Sequence, residues 1–92
     1  MARRGPKLFV ERLFEELKVD DDGTYIVIYS TKDHHPPSDF YRNLRRLMEL
    51  AKIESPVRGA LICRGYRVAN IAYRLASKYC RKVVIFKVEK VS

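Results

Sequence analysis

The sequence lacks the features of a membrane or secreted protein. None of its apolar runs approaches the ~18–20 residues that a membrane-spanning helix requires. The N-terminal segment, residues 1–18, begins with basic side chains but carries acids among its apolar residues, unlike a secretory signal. We therefore expect an intracellular protein with a cytoplasmic location and no contact with a membrane.

The chain also lacks the motifs of common enzymes and metal sites. It has no nucleophile elbow, phosphate-binding loop, dinucleotide fingerprint or zinc-ligand spacing. Its two cysteines, Cys63 and Cys80, do not form a CxxC pair and lie among apolar residues, which predicts reduced, buried thiols, with a disulfide as the alternative. The run Asp20-Asp21-Asp22-Gly23 lacks the alternating ligands of a calcium loop and predicts the end of a helix. We expect no enzymatic activity, metal or cofactor.

Acidic residues are nearly absent from the C-terminal part of the chain. Residues 56–92 contain nine basic residues and one acid, Glu89, whereas residues 1–55 contain ten of each. The C-terminal part therefore accounts for the whole formal net charge of +8. A charge excess confined to one segment creates a positive field that attracts polyanions. This composition predicts an anionic partner, with nucleic acid as the leading class.

Helical and strand patterns alternate along the chain. Apolar residues at helical spacing predict three helices, and short β-branched or aromatic runs predict three strands, the first of them buried on both faces. In chain order these are a helix over residues 8–17, a strand over 25–29, a helix over 40–51, a strand over 59–63, a helix over 68–79 and a strand over 83–88. This order predicts a two-layer α/β sandwich whose first two strands are parallel and joined by a right-handed crossover. The N-terminal helix is expected as an appendage, packed on the sheet or available to a partner.

A strand-to-helix corner lies within the basic segment. The residues Arg64-Gly65-Tyr66-Arg67 follow the second predicted strand and open the third predicted helix. At such a corner, exposed backbone N–H groups and arginines can converge on a phosphate. Arg74 and Lys78 follow on roughly the same helix face, and Tyr66 is placed to stack on a base. The alternative interpretation is a charged helix face that contacts only solvent.

The strand and the corner together read Leu61-Ile62-Cys63-Arg64-Gly65-Tyr66-Arg67-Val68-Ala69, and a further strand, Val83-Val84-Ile85-Phe86, returns after the helix. In this pattern, residues 25–91 resemble the Alba family of archaeal chromatin proteins and their relatives in ribonuclease P-type complexes. The resemblance implies a β-α-β-α-β core like the C-terminal domain of bacterial translation initiation factor 3. Residues 25–92 would then form an Alba-like domain, with residues 1–24 as an extra helical appendage. It also implies an archaeal, non-enzymatic protein that binds DNA or RNA as a homodimer.

Three features depart from the pattern of that family. Tyr66 occupies the position of the second corner arginine, which leaves that role to Arg67. The loop at residues 30–35 keeps only Lys32 of the family's Gly-Lys-Lys. No counterpart of the family's long C-terminal hairpin is present, so we expect RNA or a protein–RNA assembly ahead of the coating of DNA. The candidate nucleic-acid-binding residues are Lys32, Arg64, Gly65, Tyr66, Arg67, Arg74 and Lys78.

Two other functions stay open at this point. An assembly subunit could use the apolar face of the N-terminal helix, with Tyr41 and Tyr73 outside the core as interface aromatics. A small ribonuclease could use His34 or His35 as a general acid and base, although polar loop residues are the simpler interpretation of this pair. For the leading function we expect a location in the cytoplasm or in association with chromatin or ribonucleoprotein.

Overall fold

The computed structural model describes residues 8–30 and 36–88. The elements are α1 (Phe9–Glu16), β1 (Thr24–Ser30), α2 (Ser38–Leu50), β2 (Ile53–Glu54), β3 (Ala60–Arg64), α3 (Tyr66–Tyr79) and β4 (Lys82–Val88). Lys32, His34 and His35 lie outside the described residues, so the hypotheses about them stay predictions.

The four strands form one sheet in the order β2-β3-β1-β4, and all neighbouring strands are antiparallel. The prediction that β1 and β3 run parallel is therefore wrong. Helix α2 connects β1 to β2, which runs parallel to β1 but is separated from it by β3. After α1, the order β-α-β-β-α-β is the split β-α-β or ferredoxin-like arrangement, and it differs from the β-α-β-α-β order that we expected.

The missing element in the sequence prediction is β2. It contains only Ile53 and Glu54, and Ser55-Pro56 follows at once. Two residues are too few to show the period-2 alternation that marks a strand. With β2 missed, α2 seemed to lead directly to β3, and the crossover rule then made β1 and β3 parallel.

The helices cover only one face of the sheet. On β1, Tyr25, Val27 and Tyr29 are buried, whereas Ile28 points to the opposite face and is exposed. The same face of β4 exposes Val84 and Phe86, which pair with β1 residues in the sheet register. The prediction that β1 is buried on both faces is therefore wrong. Among the described residues, no element packs on this outer face.

Helix α1 packs against α2 and α3 and shares their core. Its residue Val10 is fully buried, and the Val10 N–H donates a 3.1 Å hydrogen bond to the Oδ1 atom of the buried Asn43 on α2. The Glu11 carboxylate forms a 2.8 Å ion pair with Arg46. The sequence left the apolar face of this helix either packed on the sheet or available to a partner; in the structure that face is largely directed into the molecule, against α2 and α3.

The structure agrees with the sequence-based predictions for the two cysteines and for the third helix. Cys63 and Cys80 are free and buried, as predicted, and burial raises the pKa of the Cys63 thiol to about 12. The apolar stripe of α3 faces the core, with Ile71 and Leu75 almost fully buried. Within residues 8–30 and 36–88, no helix is long and apolar enough to cross a membrane.

Candidate nucleic-acid interface

The corner between β3 and α3 requires glycine at position 65. Gly65 has φ of 98°, a backbone region that other residues rarely adopt. Its N–H donates a 2.7 Å hydrogen bond to the Gly23 carbonyl, which holds the corner against the segment before β1. A Cβ atom at position 65 would lie 2.6 Å from Oδ1 of Asp20. The corner is thus built around a close approach of two chain segments.

Two aspartates occupy the backbone donors at the start of α3. The Tyr66 N–H donates a hydrogen bond to Oδ1 of Asp21, and the Arg67 N–H donates one to Oδ1 of Asp20. Both hydrogen bonds are 3.0 Å long. Carboxylates at this position satisfy the donors that a helix start leaves unpaired and interact favourably with the helix dipole. The expectation that these N–H groups are exposed to a phosphate is corrected, because the chain supplies its own anions.

The Asp21 carboxylate also organises the segment before β1. It accepts a 2.6 Å hydrogen bond from the Tyr25 hydroxyl and a 2.9 Å hydrogen bond from the Gly23 N–H. The Tyr25 hydrogen bond is the main cause that lowers the pKa of Asp21, and the same contact raises the pKa of Tyr25 to about 12. The three-aspartate run was interpreted only as a helix end; its capping of a helix 45 residues later has no local sequence signal.

The Arg67 side chain serves the packing of α1. Its guanidinium carbon lies 4.5 Å from the centre of the Phe14 ring, and Nη2 donates to the Phe14 carbonyl. That carbonyl belongs to the last turn of α1, where a cation is favourable. The Arg67 Nε atom is buried and has no hydrogen-bond partner among the described residues. The arrangement turns Arg67 inward instead of toward a phosphate.

Arg64 and Tyr66 remain at the surface of the corner. Arg64 lies 3.5 Å from the Glu54 carboxylate, and the two side chains are 70% and 66% exposed. An ion pair this exposed contributes little to stability, and another anion can take the place of the Glu54 carboxylate beside Arg64. The Tyr66 ring packs edge-on against Tyr25, with ring centres 6.0 Å apart, and is partly exposed.

A chain of side-chain hydrogen bonds runs along the outer face of α3. The Asn70 Nδ2 atom donates a hydrogen bond to the Tyr66 hydroxyl, and Arg74 Nε donates one to Asn70 Oδ1. Both hydrogen bonds are 2.8 Å long. These bonds hold the Arg74 side chain along the helix through its Nε atom alone. Tyr73, the aromatic neighbour of Arg74, is exposed as predicted.

Exposed cations accumulate from Arg74 onward, toward the end of the sheet where β4 begins. The sheet register pairs Ser30 with Lys82 and Ile28 with Ala60, so the starts of β3 and β4 lie at this same end. Lys78 is exposed, with Nζ 4.8 Å from the centre of the Phe9 ring. The exposed basic residues of this region, here called the basic end, are Arg58, Arg74, Lys78, Arg81 and Lys82.

None of the five cations at the basic end forms an ion pair with a carboxylate of residues 8–30 or 36–88. Arg74 and Lys78 were among the candidate binding residues predicted from the sequence, whereas Arg58, Arg81 and Lys82 were not. The signal that could have found them is the antiparallel register, which requires β2. In the described part of the chain, no group of histidine, cysteine or acidic side chains could hold a metal ion.

Comparison with protein-family models, with curated proteins and with solved structures found no match to this chain.

Proposed function

We propose that this protein is a non-enzymatic nucleic-acid-binding protein that contacts the phosphate backbone through its basic end. The observation that carries the proposal is the set of five exposed cations without carboxylate partners in the described residues. A patch of exposed positive charge attracts a polyanion, and binding gains free energy from the counterions that the nucleic acid releases.

The spacing of the cations on and just after α3 suits the extended phosphate backbone of a nucleic acid. Arg74 and Lys78 are one helical turn apart, and Arg81 follows just after the helix ends. At a rise of about 1.5 Å per residue, Arg74 to Arg81 covers roughly 10 Å along the surface. Arginine binds phosphate with two parallel hydrogen bonds, and lysine contributes a mobile point charge. Because Asn70 holds Nε, the two terminal nitrogens of Arg74 carry the proposed contact.

Exposed tyrosines favour a ligand with accessible bases. Tyr66 and Tyr73 are partly exposed on α3, near Arg74 in the sequence. Aromatic side chains stack on unpaired bases, whereas bases inside a duplex are not accessible to them. We therefore propose single-stranded or structured RNA ahead of duplex DNA. The resemblance to the Alba family stays a prediction; it implies a nucleic-acid ligand, either DNA or RNA.

The proposal is tested by fluorescence anisotropy at several salt concentrations, with single-stranded RNA, structured RNA and duplex DNA compared. The triple variant Arg74→Ala, Lys78→Ala, Arg81→Ala should weaken binding and reduce the slope of log affinity against log salt by roughly 2–3, since each phosphate contact contributes about 0.7–0.9. The matched control is Arg64→Ala, which removes an exposed arginine at the corner. Because Arg64 makes no phosphate contact in this proposal, its substitution should leave the slope unchanged.

The outcomes separate the two surfaces. A larger slope change in the Arg64→Ala control than in the triple variant would place the ligand at the corner. Absence of salt-dependent binding to all three nucleic acids would contradict the proposal as a whole. Labelled RNA that is cleaved during incubation with the purified protein would favour the ribonuclease interpretation instead.

A further inference from the structure

The two edges of the sheet are built differently. One edge is β2, which has two residues, and one of them is the charged Glu54. The other edge is β4, which has seven residues. A long edge strand presents a row of backbone N–H and C=O groups that can pair with another strand. A short, charged edge does not.

β4 lacks the devices that usually protect such an edge. It pairs with β1 continuously from Val88 opposite Thr24 to Lys82 opposite Ser30, so no bulge twists it away. It contains no proline, and its only charges are Lys82 and Lys87, near its two ends. The central residues 83–86 are all apolar. A regular, apolar edge of this kind pairs readily with another extended strand.

We propose that a second copy of this chain pairs its β4 with β4 of the first, antiparallel and centred on Ile85. Val84 of each copy then lies opposite Phe86 of the other, and Lys82 lies opposite Val88. Val83 likewise lies opposite Lys87. Opposite residues in an antiparallel pair face the same side, so the helices of both copies lie on one side of a continuous eight-stranded sheet.

Charge and length select this occupant and this register. All seven residues of β4 are paired, and no cation lies opposite another cation. A shift by two residues in either direction pairs only five of the seven, and one of these shifts sets Arg81 opposite Lys87. Like charges directly opposite each other destabilise a strand pair. A second copy therefore fits β4 along its full length without repulsion.

The outer face adds side-chain contact to the backbone pairing. Val84 and Phe86 are 46% and 53% exposed in the single chain. In the proposed register they form two adjacent cross-strand pairs of an aromatic and a β-branched residue, a combination that stabilises antiparallel sheets. This inference does not depend on nucleic-acid binding, since none of the five cations of the basic end is needed for the central pairs.

The test is the oligomeric state of the full chain, measured by sedimentation equilibrium over a range of concentrations. The wild-type protein should approach twice its chain mass of 10.8 kDa. The variant Val84→Lys, Phe86→Lys sets lysine opposite lysine twice and should dimerise much more weakly than the wild-type protein. The variant Val84→Lys, Phe86→Glu removes the same apolar residues but sets lysine opposite glutamate twice. It should dimerise about tenfold more tightly than the double-lysine variant.

Each outcome decides for or against this register. Equal dissociation constants for the two variants would overturn it, because only opposite positions distinguish them by the sign of the charge. A wild-type protein that stays monomeric at all concentrations would overturn the dimer itself. Should a variant fail to fold, amide hydrogen exchange of the wild-type protein supplies the second measurement. Protection along β4 should rise with protein concentration, and protection independent of concentration would contradict the pairing.

Discussion

The two ends of α3 differ in what their positive charges contact. At the N-terminal end, Arg64 lies near Glu54, Arg67 packs on Phe14, and two aspartates cap the helix. At the C-terminal end, the cations from Arg74 to Lys82 have no carboxylate partner within the described residues. A cluster of basic residues in the sequence therefore indicates available charge only where the fold brings no distant acid beside it.

The largest effect should come from the glycine on which the N-terminal end depends. Gly65→Ala places a Cβ atom 2.6 Å from Asp20 Oδ1 at a positive φ, so it should lower the free energy of unfolding by about 2 kcal/mol or more. The control is Gly23→Ala, whose Cβ atom meets no atom closer than 3.1 Å. Urea denaturation measures both. Equal losses in the two variants would mean that the Asp20 contact does not constrain the corner.

Arginine substitutions at the two ends should separate stability from binding. Arg67→Ala removes the Phe14 contact and the bond to the last turn of α1, and should cost roughly 1–2 kcal/mol of stability. Arg74→Ala, at the exposed end, should change stability by less than about 0.5 kcal/mol. For nucleic-acid binding the order should be reversed: Arg74→Ala should weaken the affinity more than Arg67→Ala does. The matched variant Arg67→Met keeps an apolar stem on Phe14 and should recover part of the lost stability.

A pH titration should show how strongly the hydrogen bond between Asp21 and Tyr25 stabilises the N-terminal end. The folded protein lowers the pKa of Asp21 from 3.8, so the stability due to that carboxylate is present above pH 3.8 and is lost as the pH falls through the lower folded value. The pKa of Tyr25 is raised from 10.0 to about 12, so its stability is present below pH 10 and is lost as the pH rises toward 12.

Asp21→Asn is the variant that tests this coupling. Without the carboxylate, the Tyr25 hydroxyl should ionise nearer its ordinary value, and ultraviolet absorbance of the phenolate measures that shift. Stability of the variant should also depend less on pH in the acid range. An unchanged Tyr25 titration would mean that the 2.6 Å hydrogen bond does not hold in solution.

The smallest expected difference is in the thiols, one toward each end of the molecule. Cys63, on β3 near the corner, is completely buried, and its thiol pKa is about 12. Cys80, next to the basic end, is slightly accessible, and burial raises its pKa as well. Because the thiolate is the reactive form, both should react slowly with a thiol reagent at pH 8. Cys80 should react first, and mass spectrometry of partly labelled protein identifies the site.

Much of the fold was predictable because it depends on local pattern. The helical stripe that includes Ile71 and Leu75 predicted α3 and its buried face correctly. The topology was not predictable in the same way, since it turned on Ile53 and Glu54, a strand too short to alternate. The exposed face of β1 was missed because Ile28 is as apolar as its buried neighbours, and only the position of the helices distinguishes the two faces.

The candidate site shows the same division. Arg74 was identified from charge and helical spacing, and the structure leaves it at the surface. Arg67 satisfied the same criteria, but its side chain packs on Phe14. Phe14 lies 53 residues earlier in the sequence, so the sequence near Arg67 gives no sign of this contact. Long-range pairs of this kind involve partners whose positions are set by the fold, and no pattern along the chain indicates them.

The contact between Arg67 and α1 has a consequence for the order in which the chain folds. Helix α1 has eight residues, too few to be stable alone in water. The residues that fix it, Asn43, Arg46 and Arg67, all follow it in the chain. During synthesis, α1 therefore leaves the ribosome before the residues that fix it, and it should become helical only after the corner has formed. Residues 9–16 should gain protection late during refolding, even though they are synthesised before the elements that hold them.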